Sequence, residues 1–186
     1  MTETTPTMPT PPARPVVRPL RPEDHEAVAA LTVASYVDGG HIAPGSGYVK
    51  TLRDVAGRAA RAEVLVAEVD GQVAGSVVLT PLGSPMAETA APGEYEFRML
   101  AVHPDHHRRG VARTLMAVIE ERARALPGIE AIALTTMPTM TDAHRLYEAL
   151  GYVRVPERDW YLRDIIPDLD PADETGPFLV YRLPLA

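Results

Sequence analysis

The chain of 186 residues contains no cysteine. No disulfide framework, thiolate metal site or cysteine nucleophile is therefore available, and no metal site is expected; a reducing compartment suits such a chain. It also lacks any run of about 18 consecutive apolar residues, which excludes a membrane-spanning helix. Its start, Met-Thr-Glu-Thr-Thr-Pro, has neither the basic nor the apolar stretch of a secretion signal. A cytoplasmic protein is expected. Positive charge is scarce as well, with 18 Lys+Arg against 25 Asp+Glu and a net charge of −7, and Lys50 is the only lysine. That balance argues against a nucleic-acid partner, although a local basic patch can still hold a phosphate.

What is present is ordinary globular material, 46% hydrophobic and 23% charged, in a length that suits one domain. The 19 prolines are concentrated early, with Pro6, Pro9, Pro11, Pro12, Pro15, Pro19 and Pro22 close to the N-terminus. Residues 1–15 have too little apolar mass to repay their ordering entropy and read as a flexible Pro/Thr-rich tail, leaving 16–186 as the folded domain.

Val16–Leu20 reads as an edge strand because its prolines suit no central one. Pro22-Glu23-Asp24 opens a helix to about Val37, with proline and acids in the first turn. A Gly-rich loop follows, and a second helix is expected over about 49–60. Glu63–Asp70 and Gln72–Thr80 form a hairpin around Asp70-Gly71. A long loop of Pro, Gly and Ala spans 81–93, and Glu94–Val102 is the next strand. Val111, Leu115, Met116, Ile119 and Ala123 recur at helical spacing. A strand at 131–135, a helix at about 141–150 stopped by Gly151, and closing strands at 152–155 and 178–183 complete the chain. The expectation is an α+β fold with a mixed, mostly antiparallel sheet of about seven strands flanked by about four helices.

The chemistry concentrates where the apolar strand ending Leu100-Ala101-Val102 turns through His103-Pro104-Asp105-His106-His107-Arg108-Arg109 into a helix starting Gly110-Val111-Ala112-Arg113-Thr114. A helix beginning with such compact residues directs unpaired N–H groups and the positive end of its dipole at one spot, where a phosphate fits. Arg98, Arg108, Arg109 and Arg113 face only Asp105 in this stretch, a local excess of +3. A basic loop that merely caps a helix is the alternative reading. No P-loop lysine and no G-x-G-x-x-G accompany the stretch.

This segment resembles the pyrophosphate loop of the GNAT superfamily of N-acetyltransferases, R/Q-x-x-G-x-G/A after a V-x-P strand end. Val102-x-Pro104 and Gly110-x-Ala112 match, and His107 stands where the family usually has Arg or Gln. Ala143-x-x-Leu146-Tyr147-Glu148-x-Leu150-Gly151-Tyr152 resembles the family's second motif, with Met140 at a position often held by Asn. The resemblance covers about residues 16–186 and implies a GNAT-like fold. It further implies acetyl-CoA as acyl donor, bound by Leu100, Ala101, Val102, His107, Arg108, Arg109, Gly110, Val111, Ala112, Arg113, Thr114, Met140, Ala143 and Tyr147.

The reaction so implied is transfer of an acetyl group to a primary amine. Tyr147 would protonate the departing thiolate, and the Val102 N–H would serve as oxyanion donor. Read from periodicity alone, Tyr147 is equally a core residue on the stripe Met140, Ala143, Leu146, Tyr147, Leu150. Glu96, six residues before Val102, matches the glutamate that acts as base in one branch of the family; it shares strand parity with Glu94, Arg98, Leu100 and Val102. Pairing with Arg98, solvent exposure and a water relay are the alternatives. A non-catalytic acyl-CoA sensor is the competing function, favoured by His107 and Met140.

Acceptor choice is expected to rest on three segments, 36–48, 81–93 and 157–176. The last is acidic, with Glu157, Asp159, Asp164, Asp168, Asp170, Asp173 and Glu174. It would attract a cationic amine if it lies at the mouth of the site, or it is a solvated loop. Trp160 and Tyr161 line a pocket or pack on the sheet. The acceptor is a small-molecule or peptide amine. A homodimer through the last strands is common among relatives, and nothing in the chain requires it.

Overall fold

The chain enters the sheet as β1 (Val16–Pro19) and turns through Pro22–Asp24 into α1 (His25–Val33), which widens into a π-helical turn over Ala34–Asp38. Helices α2 (Tyr48–Arg53) and α3 (Val55–Ala59) precede β2 (Glu63–Val69), β3 (Gln72–Thr80) and β4 (Glu94–Val102). Helix α4 (Val111–Ala125), β5 (Ala131–Thr136), α5 (Thr141–Ala149), β6 (Val153–Arg154) and β7 (Leu179–Pro184) follow. In this computed structural model, which describes residues 14–81, 83–164 and 176–185, one seven-stranded sheet has the order β1-β2-β3-β4-β5-β7-β6. Its ladders are antiparallel except β4–β5, which run parallel. Residues 1–13 of the expected tail lie outside the described residues.

The expected mixed, mostly antiparallel sheet is present, with β1 on its edge. Among the described residues there are five α-helices rather than about four, because the single helix expected over 49–60 is interrupted at Asp54. There ψ is 67°, and the side chain accepts the Gly57 N–H at 2.8 Å, capping α3. An aspartate inside a helical run competes for the backbone in this way. Between β2 and β3, Asp70 and Gly71 both have positive φ (52° and 76°), the geometry of a tight two-residue hairpin.

Two irregularities of β4 position the site. Against β3, Val78 pairs with Arg98 and Ser76 with Ala101, so β4 carries one extra residue there, and Met99 has φ 52°. This is a β-bulge. Before it, Tyr95 and Phe97 pack with Val111, Leu115 and Ile119 of α4; after it, Leu100 and Val102 pack on that same cluster. Met99 instead joins Ile42, Leu52, Met86 and Met137, and Ala101 joins Val28 and Leu31 of α1. The parity expected for Glu96 is corrected accordingly: the extra residue puts Leu100 and Val102 on the opposite face from Glu94, Glu96 and Arg98. The second irregularity lies on the other edge, where β4 pairs with β5 only over Glu94–Glu96 against Ala131–Ala133. Beyond that point the two strands part and leave a wedge.

Helix α4 is held against β3 by its buried stripe Val111, Leu115, Met116, Ile119 and Ala123, whose larger members stabilise by about 1.5–3 kcal/mol each. Its first turn approaches β3 so closely that a Cβ on Gly75 would lie 2.7 Å from Val111 Cγ1 and 3.0 Å from the Ala101 carbonyl oxygen. The start of α4 is thereby fixed relative to the end of β4.

Candidate active site

After β4 the chain makes one short helical turn over Pro104–His106, then takes left-handed conformations at Arg108 (φ 59°) and Gly110 (φ 80°) before α4 begins. Gly110 is the N-cap and provides no capping side chain. The first helix bond runs from Thr114 N to Gly110 O at 3.0 Å, so the N–H groups of Val111, Ala112 and Arg113 have no helical acceptor. Arg108 and Arg113 are exposed and make no ion pair among the described residues. The other two arginines of the stretch are committed: Arg109 binds Asp70 at 2.8 Å and touches His106 Nδ1 at 3.2 Å, while Arg98 pairs with Glu88. Three open N–H groups and the positive end of the helix dipole meet at this start, with the exposed Arg108 and Arg113 on either side of it in sequence, a setting that attracts an anion.

His107 Nε2 lies 3.2 Å from the Val102 carbonyl oxygen and donates to it. The imidazole thus closes the end of β4. His103 N–H donates to the Ala74 carbonyl at 2.9 Å, so strand alternation turns the Val102 N–H away from β3 and into the wedge. Ala101 pairs with Ser76 and buries its side chain under α1; it brings no open group to the wedge.

On the other side of the wedge, Met140 is the N-cap of α5 without a capping bond. Ala143 and Leu146 are half-buried against the main core. Tyr147 is 5% exposed, its ring edge-on to Phe97 and tilted against Tyr152 and Tyr181. Its hydroxyl has no hydrogen-bond partner among the described residues. Burial raises the Tyr147 pKa, so the phenol keeps its proton at neutral pH. Tyr36, on the π-helical turn, is also raised, by burial first and then by the neighbouring phenols of Tyr48 and Tyr147. His41 Nδ1 meets Thr139 Oγ1 at 2.9 Å and ties the segment after α1 to the turn before α5.

A cavity of about 290 Å³ opens beside the bulge. Met99, Thr135, Thr136, Met137 and Met140 line one side; Tyr36, Ile42 and Tyr48, and then Trp160, Leu162 and Phe178, form the walls. Its charged groups are Glu88 and Arg98. All three segments expected to shape the acceptor end contribute. Trp160 stacks on Phe178 with centroids 4.4 Å apart, so it serves both as wall and as packing, whereas Tyr161 lies under the Arg163 guanidinium. Within the acidic third segment, Asp159 is paired with Arg154 at 2.7 Å, and Arg158 is committed to Glu94 at 2.8 Å. Asp168, Asp170, Asp173 and Glu174 lie outside the described residues.

Glu96 is completely buried and does not line this cavity. Its carboxylate accepts the N–H groups of Glu88 at 3.0 Å, Thr89 at 2.9 Å and Ala90 at 2.8 Å. In this geometry Glu96 anchors the 81–93 loop, and Glu88, which that loop carries, faces the cavity. Burial raises the Glu88 pKa, opposed by Arg98 and assisted by Glu96. Sequence reasoning passed over Glu88 because its loop has no periodicity; the available signal was a single acid among Pro, Gly, Ala and Met from 81 to 93. No group of three or more His, Asp or Glu side chains suited to a metal occurs among the described residues.

The same fold occurs in solved proteins. An acetyltransferase of the GNAT family from Staphylococcus aureus Mu50 has the same fold, with a TM-score of 0.66 over 92% of this chain and 99% of that one at 11% identity. The PaiA N-acetyltransferase of Thermoplasma acidophilum, solved in complex with coenzyme A, gives 0.65 over 92% and 99% at 15% identity. A mycothiol acetyltransferase of Kineococcus radiotolerans is 38% identical over 109 residues, 59% of this chain and 33% of that protein. The match therefore spans about a third of that relative's length. Residues 26–152, which include the bulged strand, the anion loop and Tyr147, match the Acetyltransferase (GNAT) family, and the chain belongs to that family.

Proposed function

We propose that this acetyl-CoA-dependent acyltransferase delivers its acetyl group to a primary amine by direct attack, with donor and acceptor bound together at the wedge between β4 and β5. The observation that carries the proposal is the meeting of two half-sites at one break in the sheet. The anion loop and the open Val102 N–H stand at one end, and the cavity lined by Met99, Met140 and Glu88 at the other.

The residues present fit the donor. The N–H groups of Val111, Ala112 and Arg113, with Arg108 and Arg113, match a pyrophosphate in charge, and Gly110 opposes it with no side chain. When bound, acetyl-CoA supplies a thioester whose acetyl carbon is open to an amine. Leu100 and Val102 would border its arm, and the Val102 N–H, open on the wedge, would meet the thioester oxygen as it gains negative charge. Tyr147 holds its phenolic proton for the departing sulfur. The Glu88 carboxylate takes the proton of the amine, and Glu96 positions Glu88 through the loop. With no cysteine in the chain, a cysteinyl acyl-enzyme is excluded. No helix among the described residues is long and apolar enough to cross a membrane; cytoplasmic residence is part of this proposal.

A non-catalytic acyl-CoA sensor is the second reading, favoured by the engagement of His107 with Val102 and the uncapped Met140. Calorimetric titration with acetyl-CoA and thiol release across a panel of amines test both. Tyr147→Phe is expected to lower kcat about 10²-fold, the scale of a lost general acid, while acetyl-CoA affinity is retained. Binding without thiol release from any amine supports the sensor. No heat and no thermal shift at millimolar acetyl-CoA overturns both readings.

A further inference from the structure

The cavity beside the bulge is charge-balanced. Glu88 and Arg98 face it as an ion pair, with side chains 24% and 15% exposed. Arg98 also donates to the Met86 carbonyl at 3.0 Å, so its guanidinium is fixed from both β4 and the 81–93 loop. Behind the pair, Glu96 is already compensated by three N–H groups. Arg58, 2% exposed, donates to the Thr51 and Leu52 carbonyls and adds positive charge beneath the wall formed by Thr51. The rest of the wall is largely apolar: Ile42, Met99, Met137, Leu162 and the Trp160–Phe178 stack.

These charges discriminate among amines. A polyamine would bring two or more ammonium groups to one carboxylate that is already matched by a guanidinium, and would desolvate the surplus charge against apolar walls at high cost. A simple monoamine would compete with Arg98 for Glu88 and offer nothing in return. A ligand bearing an ammonium and a carboxylate on the same carbon satisfies both partners, its ammonium on Glu88 and its carboxylate on Arg98, and the four charges alternate. Planar two-pronged recognition of a carboxylate is what a guanidinium does best. The cavity volume lies at the small end of ligand sites.

We infer that the acceptor is a free α-amino acid with an apolar side chain, and that Arg98 determines this specificity by holding the acceptor's carboxylate while Glu88 holds its amine. The inference rests on the transfer reading above. The acceptor's ammonium first passes one proton to Glu88; the N–C bond then forms at the acetyl carbon as the C–S bond breaks, the sulfur takes its proton from Tyr147, and the nitrogen's second proton returns through solvent to the Tyr147 phenolate, so coenzyme A leaves as the thiol.

The test uses the full chain with saturating acetyl-CoA and measures thiol release from L-phenylalanine against phenethylamine, L-leucine against 3-methylbutylamine, and spermidine. The expected kcat/KM for each amino acid exceeds that of its decarboxylated amine by at least tenfold, and spermidine is poorer than both. Arg98→Gln brings the ratio close to one, chiefly through the KM of the amino acid, and Arg98→Lys restores part of it. A merely structural role for Arg98 would lower both substrates together and leave the ratio unchanged, which overturns the inference. A wild-type preference for the decarboxylated amine or for spermidine overturns it as well and leaves the transfer reading standing. Thiol release from no amine at all, despite acetyl-CoA binding, overturns the transfer reading and this inference with it.

Discussion

Replacing Glu96 separates two roles that a buried carboxylate near a catalytic cleft could fill. In Glu96→Ala the N–H groups of Glu88, Thr89 and Ala90 lose a charged acceptor held at 2.8–3.0 Å. Bonds to a charged group contribute about 1.5–3 kcal/mol each. The loop reaches solvent, so water recovers part of this, and the net loss expected is about 3–5 kcal/mol, an unusually large single-site effect. At about 2–4 °C per kcal/mol for a chain of this size, Tm falls by roughly 6–20 °C. Glu96→Gln keeps one oxygen for Thr89 and Ala90 but turns an amide NH2 toward the Glu88 N–H; about 1–2 kcal/mol is lost. Thermal unfolding reads the stability, and a thiol reagent reads turnover without background because the protein has no thiol of its own. An anchoring Glu96 predicts that the Gln variant keeps the pH profile of kcat/KM and loses less activity than the ~10²–10⁴-fold drop expected on removing a general base. A Gln variant with unchanged Tm and no acid limb would show that Glu96 itself takes the proton, and the anchoring argument would be wrong.

Two further outcomes follow from the same geometry. The pKa of Glu88 is raised; with its ionised form taking the amine proton as proposed, kcat/KM should climb with pH through a limb above the ordinary ~4.3 of a glutamate. Arg98 and Glu96 are the groups that act on it electrostatically; Glu88→Gln should flatten that limb, and a limb that persists refutes the assignment. Gly75→Ala would press a Cβ to 2.7 Å from Val111 Cγ1 and 3.0 Å from the Ala101 carbonyl oxygen. Overpacking of about 1–3 kcal/mol is expected, with a weaker grip on acetyl-CoA because α4 must retreat from the end of β4; titration calorimetry alongside thermal unfolding checks both.

Regular periodicity and punctuation made most of the fold legible. The apolar runs of β2 and β3, the Asp70-Gly71 turn, the α4 stripe and the stop at Gly151 each follow from local chemistry that the tertiary structure did not override. The helix over 49–60 was misjudged because Asp54 caps α3 from within an otherwise helical run, a choice between two bonding partners that periodicity does not register. The bulge at Met99 was invisible because a methionine with positive φ carries no residue signature, unlike Gly or Asn. That single hidden residue misdirected the parity argument for Glu96. The open start of α4 could be read because main-chain N–H groups at a helix start need small residues nearby and leave a pattern. The cavity beside the bulge could be read only as three contributing segments, since Tyr36, Glu88 and Trp160 come from far apart in sequence and meet only in the folded chain, and Glu88 itself carried no pattern.

The bulge also makes residue count, rather than residue identity, the stringent requirement in the middle of β4. Deleting one residue near Met99 would rotate everything C-terminal to it by half a turn of the strand. Leu100 and Val102 would exchange faces with Ala101, and the open N–H of Val102 would be turned into the β3 ladder. Many substitutions at Met99 would leave that frame intact. Variation there should therefore tolerate exchange of side chains and reject insertions and deletions, much as a reading frame does.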